Sequence, residues 1–249
     1  MIELPTRPSF DLKVCWVIAL EPEARPLIDE LDLRRYANNL NFPVYFNPEN
    51  GHALVISGIG SAKAAAAATC LKMLLNVESY VGWINLGIAG FYSQPIGKLY
   101  QAIKVYDTAG KKSYFPGVRL SKILKCQTLH TVSQPEMAYL ETVLFDMEAS
   151  GFCEMAPTFS CNELVFVLKI VSDTPDHPVR LVSKETISKL IYQNTDKLKE
   201  IILVIEKLVK EEKKRLFIPE EVFRYFDTFH FTQSLSLIHI SEPTRRRGI

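Results

Sequence analysis

An unbroken apolar run, Val-Cys-Trp-Val-Ile-Ala-Leu at residues 14–20, ends directly on Glu21-Pro22-Glu23. Seven apolar residues rich in β-branching predict a strand buried on both faces, as in a parallel sheet with helices on either side. Pro22 suits the opening of a helix, and residues 24–31 continue it. A second run, 164–171, is apolar except for Lys169 and ends on Ser172-Asp173. Glu23 and Asp173 therefore stand at the carboxyl ends of strands, where open α/β sheets place ligands.

The rest of the chain repeats this alternation. Residues 53–57 predict a strand that leads through Gly58-Ile59-Gly60-Ser61 into a helix over 62–75, whose run of alanines lets it pack closely on a sheet. Residues 80–86 predict another strand, ending in a second glycine turn, Gly87-Ile88-Ala89-Gly90. Strands follow at 99–106 and 128–132. Prolines and asparagines make 36–50 a hairpin or loop, and 107–125 reads as a basic surface loop. Ser183 caps a long helix reaching about Lys214, with apolar residues at helical spacing. Residues 1–11 form an extended arm, and 219–233 a shorter aromatic-rich element. Strands alternating with helices, without an interdomain linker, predict a single α/β domain over 1–234: a twisted mixed central sheet flanked by helices. Residues 235–249 resemble the peptide read from sequencing-adapter DNA, and are set aside as a non-native tail.

At 249 residues and 47% hydrophobic, the chain can bury a full core. A net charge of +1 leaves no footprint for nucleic acid or an acidic membrane. The five cysteines include no C-x-x-C pair, and the five histidines no H-E-x-x-H. That pattern argues for buried thiols in a reducing compartment, without metal or cofactor. No apolar run reaches transmembrane length, so the expected location is cytoplasmic.

The stretch Phe145-Asp146-Met147-Glu148-Ala149-Ser150-Gly151 places two carboxylates around a methionine at a strand-to-helix junction. Backbone N–H groups and the helix dipole favour an anion there, so Glu148 is a candidate ligand group. Singly, each acid has a plainer role: Glu23 as a helix-start acid, Asp173 as a cap, Glu148 as a partner for Lys169. Jointly, three carboxylates at three strand ends point to a site.

In order, Ile18-Ala19-Leu20-Glu21-Pro22-Glu23, Ser57-Gly58-Ile59-Gly60, Asn85-Leu86-Gly87-Ile88-Ala89-Gly90, Asp146-Met147-Glu148-Ala149 and Val171-Ser172-Asp173 resemble the nucleoside phosphorylase superfamily. The nearest branch is the methylthioadenosine/S-adenosylhomocysteine nucleosidases. The resemblance implies hydrolysis of the N-glycosidic bond of a purine-type nucleoside, with Glu23 activating water and Asp173 protonating the leaving base. It further implies that Ser172 orients Asp173, that Met147 packs on the nucleoside, that Glu148 binds the ribose hydroxyls, and that Gly87, Ile88 and Ala89 line the site. A homodimer and a part in purine salvage are implied as well. Two positions depart from the branch: Ile88 stands where a serine is usual, and Phe91 where a glycine is. Residues 107–145 are also shorter than in the nucleosidases. The alternatives are a phosphate-dependent phosphorylase and a non-catalytic nucleoside-binding module.

Overall fold

The computed structural model describes residues 11–37, 40–92, 95–120, 122–135 and 142–217. The chain forms two compact units, Met1–Val209 and Lys210–Ile249. The first unit opens with β1 (Val14–Ile18), α1 (Glu21–Glu30), β2 (Arg34–Arg35), β3 (Val44–Asn47), β4 (His52–Ile56) and α2 (Ser61–Leu75). It continues with β5 (Gly82–Phe91), β6 (Leu99–Asp107), β7 (Lys112–Tyr114), β8 (Lys125–Thr131), β9 (Leu144–Asp146), α3 (Ala149–Phe159), β10 (Val165–Asp173), α4 (Lys184–Tyr192) and the part of α5 (Thr195–Leu216) up to Val209. The second unit is described over residues 210–217, the end of α5, where Glu211 pairs with Lys214 and Glu212 with Arg215.

At the centre, β1 pairs in parallel with β4 and β5, and β5 in parallel with β10. Of these strands, β1, β4 and β10 are buried along their whole length and β5 at all but Ile88, which accounts for their largely apolar sequences. Beyond them, β10 pairs with β6, β6 with β8, β8 with β9, and β9 returns to β5. The mixed sheet therefore closes on itself through β5, β9, β8, β6 and β10, and runs out at its other side through β4, β3 and β2. One face is covered by α2 and α3, whose Ala64, Ala67, Ala68 and Phe152 join the same core as Val17 and Val167. The other face carries α1, α4 and α5 through Leu27, Ile191 and Ile201. This is the helix-flanked α/β sheet expected from the sequence.

Four local expectations change. Gly87-Ile88-Ala89-Gly90 is not a turn. β5 runs through it to Phe91, because β10 pairs with it as far as Gly90 and β9 takes over at Gly90 and Phe91. The long helix from Ser183 is two helices. The Asn194 side chain donates to the carbonyls of Gly97 and Leu190 at 3.0 and 2.9 Å, so the chain bends between α4 and α5, while Ser183 caps α4 alone. The stretch 107–125 includes β7, a hairpin on β6. The strand expected at 128–132 already begins at Lys125.

The expected elements at 1–10 and 219–233, and the tail 235–249, lie outside the described residues. Removal of 235–249 should leave melting temperature and activity unchanged. A melting temperature several degrees lower in the truncated protein would show that the tail is part of the fold.

Candidate active site

Five segments converge at one end of the sheet. α1 begins as soon as β1 ends, and Glu23 in its first turn reaches back to accept from the Leu20 amide at 2.8 Å. Its second oxygen accepts from the Ile88 amide, also at 2.8 Å. This contact depends on Gly87, since a Cβ there would lie 3.0 Å from Glu23 Oε1 and 3.4 Å from Lys169 Nζ. Burial pushes the Glu23 carboxyl above its ordinary pKa, opposed by the Ile88 amide and by Lys169.

Asp146 ends β9 and organises the start of α3. Its Oδ1 accepts from the Thr131 hydroxyl at 2.8 Å, and its Oδ2 from the Ala149 amide at 2.9 Å. Oδ2 also pairs with Lys169 Nζ at 2.8 Å, and both side chains are buried. Burial alone drives an ammonium pKa down. Here Asp146, Glu148 and Glu23 outweigh it and hold Lys169 above its ordinary value, so it stays charged. Glu148, at the helix N-cap, accepts from the Gly60 amide at 2.9 Å.

The N-termini of α2 and α3 meet tightly. Ser150 and Ser61 hydroxyls lie 3.0 Å apart, and a Cβ on Gly151 would fall 1.9 Å from the Ser61 carbonyl oxygen. Gly151→Ala should therefore destabilise the protein toward 3 kcal/mol by overpacking, outweighing the roughly 1 kcal/mol that alanine gains in helix propensity. Urea unfolding measures this, and an unchanged midpoint would show that the two helices can part freely.

These segments enclose a cavity of about 170 Å³. It is lined by Glu23, Asp146, Glu148 and Asp173, with Ser172, Ile88, Ala89 and Met147 between them. Ser172 donates to Asp173 Oδ1, and Asp173 is fixed at the end of β10 opposite Gly90. Gly87 stays off the wall and beneath Glu23. Phe145 forms one wall, backed edge-on by His130 at 5.9 Å between ring centroids. No lysine or arginine is among the described lining residues. Seven of the eight residues singled out in the sequence line this cavity; Gly87, expected among them, does not. Asp146, Thr131 and Lys169 were given no site role there. The signal for Lys169 was a lone lysine inside an apolar strand, since a buried charge demands a partner.

Burial, followed by the charge of Asp146, pushes the Glu148 carboxyl up to about 7. A carboxyl raised on folding favours the folded state fully below its unfolded pKa near 4.5, and this contribution fades as pH rises through 7. An anionic Glu148 is also the better acceptor for hydroxyl groups. Affinity for a ribose-bearing ligand should therefore rise between pH 6 and 8 while Glu148's contribution to stability falls. Calorimetric titrations across that range test this, and a flat affinity would remove Glu148 from the binding role.

No family model and no curated protein matches the chain. Solved structures do. The apo 5'-methylthioadenosine nucleosidase of Arabidopsis thaliana aligns at TM-score 0.66 and 18% identity, over 79% of this chain and 96% of that one. The Helicobacter pylori 5'-methylthioadenosine/S-adenosyl homocysteine nucleosidase aligns at 0.63 and 14% identity, over 78% and 99%. Futalosine hydrolase of Helicobacter pylori aligns at 0.62 and 14% identity, over 77% and 97%. At these identities the likeness is one of fold: the chain has the nucleoside phosphorylase-like fold, in the form shared by the methylthioadenosine nucleosidases and futalosine hydrolase.

Proposed function

We propose that the chain hydrolyses the N-glycosidic bond of an uncharged purine-type nucleoside. The observation that carries this reading is the single cavity lined by Glu23, Glu148 and Asp173 with no cation among its described lining residues. Breaking the bond builds positive charge on the sugar and negative charge on the base. Carboxylates beside the sugar and an acid beside the base stabilise both. In this reading Glu23 takes a proton from the attacking water, and Glu148 accepts from the ribose hydroxyls. Met147, Ile88 and Ala89 pack against the nucleoside, while Asp173, oriented by Ser172, protonates the departing base. The neighbouring structures, named as nucleosidases and a hydrolase, agree with it.

Hydrolysis is favoured over phosphorolysis by charge. A phosphate nucleophile needs a cationic cradle, and Arg25 is instead paired with Glu21 away from the cavity. Lys63 lies over Gly58, and it too is not a lining residue. Cytoplasmic location and a homodimer belong to the same proposal. The deciding experiment is a nucleoside panel assayed for released base with and without phosphate. Strict phosphate dependence with ribose 1-phosphate as product would replace the hydrolase by a phosphorylase. Binding without release would make the protein a nucleoside-binding module, the reading that the apolar Ile88 side chain favours.

A further inference from the structure

Beneath the site, on the sheet face covered by α2 and α3, a buried acceptor without a partner neighbours a buried ammonium. Asn85 is 1% exposed, and its Nδ2 donates to the Val17 carbonyl on β1 at 3.0 Å. Its Oδ1 is buried and accepts from no group in the protein. Nδ2 is turned toward β1, and the other neighbour of β5 is β10. There Lys169, also 1% exposed, spends one of its three ammonium protons on Asp146. Asn85 pairs with Val167 and Gly87 with Lys169, so Asn85 and Lys169 are diagonal neighbours on one face. Gly87 lies two residues beyond Asn85, roughly 7 Å along the strand. The Lys169 nitrogen stands 3.4 Å from where a Gly87 Cβ would be. An unmatched acceptor and a donor with protons to spare are thus diagonal neighbours that share no direct bond.

We propose that an ordered internal water joins Asn85 Oδ1 to Lys169 Nζ, and that Asn85 is thereby a positioning residue for the ammonium beside Glu23. A buried water is stable where it finds about three polar partners. Here it donates to Asn85 Oδ1 and accepts from Lys169. Glu23 Oε1, 3.0 Å from the same Gly87 Cβ position, is the third polar group that we assign to it. The water fixes Lys169 between Asp146 and Glu23, the carboxylate that takes the proton in the reaction proposed above. The positioning role rests on that proposal; the water does not.

The test has two parts. A high-resolution crystal structure of the unaltered protein should show density within about 3.2 Å of both atoms. A dry gap, or an Asn85–Lys169 contact made directly, overturns the proposal without reference to activity. Asn85→Leu should then lower kcat, by up to about 10²-fold for a misplaced group, with KM unmoved and the pH profile of base release displaced. Asn85→Ser, which keeps a hydroxyl for the water, should restore much of the rate. Density present with an unaltered pH profile in Asn85→Leu overturns the positioning role.

Discussion

Asp173→Asn lowers base release by about 10²–10⁴-fold, the range that general acid catalysis supplies. The side chain keeps its size and can still hydrogen-bond, but has no proton to transfer. Its placement argues that the loss is chemical rather than structural. Asp173 is the last residue of β10, in register with Gly90 across a local irregularity after Val171. Its backbone position is therefore set by the sheet and not by the side chain. Ser172 donates its hydroxyl proton to Oδ1 and so orients the carboxyl. Nucleoside affinity measured by calorimetry should change far less than turnover, since the missing interaction belongs to the transition state. A variant that turns over like the parent reduces Asp173 to a strand-end cap. One that loses affinity and turnover equally makes it a binding group.

How far the site is legible in sequence depends on whether the relevant contacts are local. Glu23 and Asp173 were readable because an apolar strand followed at once by an acid is a local pattern, and the sheet later proved to bury those strands fully. Glu148 was readable for a similar reason, at the junction of β9 and α3. The glycines at 87–90 were misread as a turn because the ladder that keeps them extended comes from β10 and β9, far along the chain. Gly87 is needed there for the approach of Glu23, not for a change of direction. The break between α4 and α5 escaped for the same reason, since the Asn194 contact that fixes it lies on the distant Gly97 carbonyl. The Lys169–Asp146 pair is the strongest case. Lys169 interrupts an apolar strand visibly, but its partner sits on another strand of the closed part of the sheet, and only the topology brings them together.

That pair carries the largest expected effect on stability. Lys169→Met fills similar space but leaves Asp146 buried without its counter-ion, and takes positive charge away from Glu23 and Glu148. Breaking a buried ion pair from one side typically costs about 3–5 kcal/mol, and here three carboxylates share the consequence. With Lys169 gone, Glu23 and Glu148 favour their protonated forms, which raises their pKa values in the folded protein further. A carboxyl raised on folding loses its stabilising contribution as pH increases. The deficit should therefore be larger at pH 8 than at pH 5.5, where protons replace the missing cation. Urea unfolding at both values measures the difference. The double variant Lys169→Met/Asp146→Leu should recover much of the loss, because a buried pair replaced on both sides by apolar groups is often neutral. Recovery will stay incomplete, since Asp146 also accepts from Thr131 and from the first amide of α3. A single-variant loss under about 1 kcal/mol, equal at both pH values, would fall within the range of an exposed ion pair. Lys169 would then not be the charge that holds the acidic cluster together.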